Sequence, residues 1–122
     1  MVEQKGESGN IKISDDAIAS IAAIASREVD GVADLDGGSS AAFAEAIGIK
    51  DSTKGIKVDL LNETVSLDIN IIVNFGREVS DVAVEVQDKV RESIESMTGL
   101  NVNKINININ GVRKNNDIRD NS

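Results

Sequence analysis

The chain contains no cysteine, histidine, tryptophan, tyrosine or proline, and its only aromatic residues are Phe43 and Phe75. Without cysteine, it cannot form a disulfide, a thiolate metal site or a cysteine nucleophile. Without histidine, it lacks the most common general base and metal ligand. Two aromatic side chains do not provide the stacking surfaces that bind single-stranded nucleic acid. Carboxylates are the groups that remain as candidates for catalysis.

Long apolar runs are also absent. No stretch approaches the roughly 18 apolar residues of a membrane span, and residues 1–10 are polar, without the apolar core of a signal peptide. We therefore expect a cytoplasmic protein that does not insert directly into a membrane. The formal net charge is −8 and the pI is about 4.5. This charge repels phosphate backbones and anionic lipid surfaces, so we expect no nucleic-acid partner.

The length of 122 residues fits one domain, whose core must be aliphatic because aromatic residues are so few. We predict a mobile polar lead-in at residues 1–10, a single domain at residues 11–113 and a flexible polar tail at residues 114–122. Residues 36–54 begin with a glycine- and serine-rich turn signal, and we interpret them as an insertion between core elements.

Two segments have a helical period. Ser14 is a good N-cap for a helix at residues 15–29, with Asp15 and Asp16 in the first turn where they favour the helix dipole. Residues 78–98 form the second predicted helix. Its predicted inward stripe is Val79, Val82, Ala83, Val86, Val90, Ile94 and Met97.

Strict alternation of apolar and polar residues predicts a hairpin from residues 56–60 and 64–75, with short strands at residues 11–13 and 32–35. The last strand, residues 101–112, alternates isoleucine with asparagine, and we expect irregularities near Lys104 and Gly111. These elements fit an α+β two-layer sandwich, in which two amphipathic helices cover one face of a small mixed sheet.

Candidate sites for chemistry are weak. Asp34 to Gly38 is similar to the start of a calcium loop, with Glu45 at its twelfth position, but the required glycine and the helix–loop–helix setting do not fit. The adjacent Asp15 and Asp16 are better explained by helix capping. No glycine-rich phosphate motif and no GXXG loop of a KH-like RNA domain is present. We predict no catalytic residue, no metal and no cofactor.

Exposed apolar residues are the better candidates for a binding site. Ile72 interrupts the polar face of the long strand, and together with Phe43 and Ile47 it could form a partner-binding patch. The asparagines of the last strand have two open interpretations. They either line a solvated face or form an amide-rich surface that pairs with another copy or a partner.

Several segments, in their order and spacing, carry a resemblance to a known family. They are Ile11-Lys12-Ile13-Ser14, Arg27-Glu28-Val29-Asp30-Gly31-Val32, Lys54-Gly55-Ile56-Lys57-Val58, Val73-Asn74-Phe75-Gly76, Val86-Gln87-Asp88-Lys89-Val90, Met97-Thr98-Gly99-Leu100 and Val102 through Val112. Over about residues 10–113 the chain resembles the alkaline shock (general stress) protein family, the envelope stress response proteins of Gram-positive bacteria.

The resemblance implies a non-enzymatic cytoplasmic protein linked to cell-envelope homeostasis. Some members of the family are held at the membrane by a separate anchor protein, and some self-assemble. The family supplies no catalytic residues to carry over, and its glycines, here Gly31, Gly55, Gly76 and Gly99, resemble fold determinants.

Our leading hypothesis is therefore a scaffold or interaction protein that self-associates or binds a protein partner, which could itself be membrane-anchored. The alternatives are a regulatory binder of a metabolic enzyme, such as one in lipid synthesis, a KH-like RNA-binding module and a hydrolase that uses carboxylates.

Overall fold

The computed structural model describes residues 1–38, 43, 44, 46–48 and 52–114. In chain order its elements are β1 (Val2–Gly6), β2 (Gly9–Ile13), α1 (Asp15–Glu28), β3 (Val32–Leu35), β4 (Ile56–Leu61), β5 (Thr64–Asn74), α2 (Val79–Thr98) and β6 (Asn101–Arg113). The α+β class is confirmed. Much of the predicted insertion and nearly all of the predicted tail lie outside the described residues, and the proposed domain limits stay a prediction.

Strand β5 is the centre of the main sheet. β6 runs parallel to it on one side, and β3 and β4 are both antiparallel to it on the other side. These two short strands meet end to end at Asn70. The backbone N–H of Asp36 donates to the Asn70 carbonyl (2.8 Å), and the N–H of Asn70 donates to the Gly55 carbonyl (2.9 Å). β3 and β4 therefore form one composite edge.

Gly55 is required at this junction for two reasons. Its φ of +83° lies in the left-handed region, which side chains with a Cβ rarely adopt. In addition, a Cβ built on Gly55 would lie 2.7 Å from the Asp36 carbonyl oxygen and 3.0 Å from that of Asn70. The two strand ends can approach each other only because this position has no side chain. Gly31, Gly76 and Gly99 also have positive φ.

The core lies between the sheet and the two helices. Alternate side chains of β5 are buried against α1 and α2, as the period-two pattern predicts. From α2, four residues spaced one turn apart are fully buried: Val82, Val86, Val90 and Ile94. Val79 and Met97, predicted to point inward, are instead 42% and 70% exposed. They lie in the terminal turns of α2, outside the four-residue row that meets the sheet.

The structure differs from the prediction at the N-terminus, where a mobile lead-in is expected over residues 1–10. β1 and β2 pair as an antiparallel hairpin instead. Val2 is buried in the core cluster, and the Gln4 side-chain amide donates to the carbonyl of Thr98 (2.6 Å) at the end of α2. This hydrogen bond and the burial of Val2 attach the hairpin to the domain.

The helix caps and the strand irregularities agree with the sequence. The Ser14 hydroxyl accepts the Ala17 N–H (3.1 Å), and Gly99 ends α2 in the left-handed conformation. The register of β6 on β5 shifts at two places, beside Asn103 and beside Asn110. These shifts confirm the irregularities expected near Lys104 and Gly111.

Candidate interaction surface

The face of the sheet that the helices leave uncovered is polar, and we call it the open face. Because side chains alternate along a strand, the partly exposed residues of β5 and the exposed asparagines of β6 share this face. Its members are Thr64, Ser66, Asp68, Asn70 and Ile72 from β5, Asn106, Asn108 and Asn110 from β6, and Lys57 and Asp59 from β4.

The asparagines of β6 are held by hydrogen bonds that cross the open face. Asn106 Nδ2 donates to Asp68 Oδ1 (2.9 Å). Asn110 Nδ2 donates to Asp36 Oδ2 (3.1 Å) and to Asn70 Oδ1 (3.3 Å). The amide groups thus supply donors to acceptors on β5 and to Asp36, which follows β3, and this accounts for a residue type that is normally depleted in strands.

Asn108 differs from its two neighbours in the strand. Within the part of the chain that the structure describes, its side chain makes no hydrogen bond. It stands opposite Asn70 in the ladder and is exposed, so its amide is free to bond with a group from outside the domain.

Asp36 is the one carboxylate of this surface with a clear electrostatic shift. The backbone N–H of Gly38 donates to its Oδ1 (3.1 Å), and this bond is the main cause that lowers the pKa of Asp36. The Asn110 amide lowers the pKa further. Burial opposes this with a smaller effect, and the charge of Lys54 makes the smallest contribution, which also lowers the pKa. Asp36 therefore stays ionised at neutral pH.

Two hollows lie on the open face. One, of about 390 Å³, is lined by Lys57, Asp59, Asp68, Lys104 and Asn106 among others. The second, of about 340 Å³, lies beside Asp36, Gly55 and Asn110 and shares Lys57 with the first. Their linings mix both signs of charge with amides, which suits hydrogen bonding to a polar protein surface.

The predicted patch residues lie in two places. Ile72 is on the open face, where a Cβ on Gly111 would be 3.7 Å from its Cγ1. Phe43 and Ile47 belong to the segment that connects β3 to β4 along the chain, and the two residues are 68% and 59% exposed. The Ile47 N–H donates to the Phe43 carbonyl (3.2 Å). That all three form one binding patch stays a prediction.

The carboxylates of the weak calcium-loop pattern already have protein partners. Asp34 Oδ2 lies 3.3 Å from Lys54 Nζ, and Asp34 Oδ1 accepts the Leu35 N–H (2.8 Å). Asp36 is held by Gly38 and Asn110, and Glu45 lies outside the described residues. Within the described ranges, no group of three or more acidic residues is placed to hold a metal ion.

The sequence gives no prediction for a row of side chains on α2 that caps the outer edge of β6. Glu95 Oε2 accepts the Val102 N–H (3.1 Å), and Arg91 Nη1 donates to the Val102 carbonyl (2.6 Å). One turn earlier, Gln87 Nε2 donates to the carbonyl of Ile105 (3.0 Å). The only signal in the sequence is their spacing of four residues, which a solvated helix face shows as well.

The comparisons with known proteins point in one direction. A model of the alkaline shock protein 23 family, described as having a cell envelope-related function, matches residues 3–114. YqhY of Bacillus subtilis (strain 168) is 38% identical over 105 residues, covering 86% of this chain and 78% of YqhY. YloU of the same strain is 30% identical over 114 residues, covering 92% and 95% of the two chains.

More distant similarities agree. A stress response regulator gls24 homolog of Streptococcus pyogenes serotype M3 (strain ATCC BAA-595 / MGAS315) is 24% identical over 102 residues, which cover 83% of this chain and 57% of that protein. Two solved structures of MamM CTD variants match with TM-scores of 0.50 and 0.51 at 12% identity, covering 79% and 80% of this chain and 95% and 99% of theirs. The structural likeness shows the fold alone.

Proposed function

Because the chain belongs to the alkaline shock protein 23 family, whose function is cell envelope-related, we propose that it is a non-enzymatic interaction protein of envelope stress and homeostasis. It works in the cytoplasm by self-association or by binding a protein partner, and a partner anchored in the membrane would hold it at the envelope. Within the described part of the chain, no helix has the length and hydrophobicity needed to cross a bilayer.

The observation that carries this proposal is the open face. Both helices pack on the same side of the sheet, so the other side presents amides, carboxylates and Ile72 to the surroundings. Protein interfaces that form and dissociate usually have an apolar centre and a polar rim that forms hydrogen bonds. Ile72 and the polar residues around it have this arrangement.

The test is capture of the tagged protein from its native cells with the membrane fraction retained, followed by binding measurements with the purified partner. Ile72→Asp and Phe43→Asp should each weaken binding at least tenfold, because each substitution introduces a charged carboxylate that the contact would have to bury. Ile24→Asp is the matched control, since Ile24 is 61% exposed and lies on α1, on the opposite side of the sheet.

The outcomes separate the possibilities. Loss of a membrane-protein partner by the two patch variants and not by Ile24→Asp supports the proposal. A soluble biosynthetic enzyme as the reproducible partner would favour the regulatory alternative. If all three variants bind like the unaltered chain, Phe43 and Ile72 are not in the contact.

A further inference from the structure

Among the residues that the structure describes, side chains cap the outer edge of β6 over its first half only. Glu95, Arg91 and Gln87 stand one turn apart on α2 and bond the outward backbone groups of Val102 and Ile105. The next position in this series is Ala83, whose methyl group cannot form a hydrogen bond. The capping row therefore ends before it reaches the second half of β6.

Beyond Ile105, the last capped residue, the outward backbone groups of Ile107 and Ile109 have no hydrogen-bond partner among the described residues. We call this part of β6 the bare edge. In a ladder, alternate residues turn their N–H and C=O groups toward opposite sides of the strand. The carbonyl of Ile105 faces away from β5, toward Gln87, so Ile107 and Ile109 also direct their groups outward. Among the described residues, β6 is paired with β5 alone, and no side chain bonds to Ile107 or Ile109.

This bare edge lacks the usual protection against pairing. Edge strands normally carry charged residues or proline, but residues 105–112 contain neither. Two copies with a net charge of −8 each repel one another, and an uncharged edge is a place where they can approach. Residues 106–110 also read the same in both directions, as Asn-Ile-Asn-Ile-Asn, so an antiparallel pairing of two copies places asparagine opposite asparagine and isoleucine opposite isoleucine.

We propose that the bare edge of β6 pairs antiparallel with the same edge of a second copy, centred on Asn108. This rests on the proposed function, because it assigns a surface to self-association. Each Ile107 then exchanges backbone hydrogen bonds with Ile109 of the second copy. A register centred one residue earlier would need the carbonyl of Ile105, which Gln87 already occupies.

The Asn108 side chain supports this register. Asn108, whose amide has no partner in the described domain, faces Asn108 of the second copy, and paired amides of this kind can bond to each other.

The test compares Asn108→Lys with Asn10→Lys in sedimentation equilibrium. Asn108 and its copy form a non-hydrogen-bonded pair with Cα atoms about 4.5 Å apart, so two lysines there repel each other directly. We expect Asn108→Lys to weaken dimerisation at least tenfold. Asn10→Lys makes the same charge change at an exposed position of β2 and should dimerise like the unaltered chain. Equal melting curves show that both variants are folded.

Amide hydrogen exchange supplies a second readout. The N–H groups of Ile107 and Ile109 should become protected as the protein concentration rises. Those of Asn106 and Asn108 point toward β5 and should stay protected at every concentration, which makes them the internal reference.

Two results would overturn this assignment. If the protein dimerises but Asn108→Lys dimerises equally well, or Ile107 and Ile109 stay unprotected in the dimer, self-association uses another surface and the proposed function stands. If the unaltered chain stays monomeric and these two amides become protected only when the captured partner is added, the edge binds a strand of that partner and not a second copy.

Discussion

Replacing Gly55 by alanine should destabilise the fold more than the same replacement at Gly76. Both glycines have positive φ, +83° and +99°, so alanine at either site adopts a left-handed conformation that costs about 1–2 kcal/mol. Only at Gly55 does the new Cβ also meet rigid backbone, at 2.7 Å from the Asp36 carbonyl oxygen. Overpacking of this kind adds about 1–3 kcal/mol.

We therefore expect Gly55→Ala to lower the free energy of unfolding by about 2–5 kcal/mol and Gly76→Ala by about 1–2 kcal/mol. For a chain of this length, each kcal/mol lowers Tm by about 4 °C. Urea unfolding should be followed by far-ultraviolet circular dichroism, because the chain has no tryptophan or tyrosine to report by fluorescence. Equal unfolding midpoints for the two variants would refute the close approach of β3 and β4 at this junction.

Three further variants test the other local interactions. Ser14→Ala removes the hydroxyl that caps α1 and should lower the unfolding free energy by about 1 kcal/mol in urea titrations, whereas a change under about 0.3 kcal/mol would contradict the capping role. Ser26→Ala should raise it by up to about 1 kcal/mol, because the Ser26 hydroxyl is buried without a hydrogen-bond partner; a clear loss would reveal a bond to this hydroxyl. Asp36→Asn should lower Tm at neutral pH, because the folded pKa of Asp36 lies below its unfolded value. That contribution is present above the unfolded pKa and is lost as pH falls through the folded pKa, so the two melting temperatures should converge in acid, and a constant difference would argue against it.

Elements with a strong local signal are predictable from the sequence. The serine cap, the two helical rows and the long alternation of β5 each depend on neighbouring residues. Even the irregularities of β6 follow from the sequence, because Val102 and Val112 fall out of phase with the alternating isoleucines between them. The β1–β2 hairpin has no such signal, because its attachment depends on Val2 in the core and on the bond from Gln4 to a carbonyl 94 residues away.

The interaction surface is predictable only in part. Alternating asparagines indicate a polar face, and Ile72 stands out on it. Which strand has a free edge depends on the strand order, and several orders bury the same apolar residues. The bare half of β6 therefore becomes visible only when Gln87 and Arg91 are seen to cap the other half.

The composite edge has a practical consequence for labelling. The chain leaves the sheet at Asp36 and returns at Gly55, and both residues bond to Asn70. A foreign sequence whose own ends lie close together could be inserted between them while β3 and β4 keep their places, since closing a longer loop adds little free energy. A small fluorescent reporter placed there would sit on the side of β5 away from β6. It would follow the protein in living cells without blocking the edge that we assign to pairing.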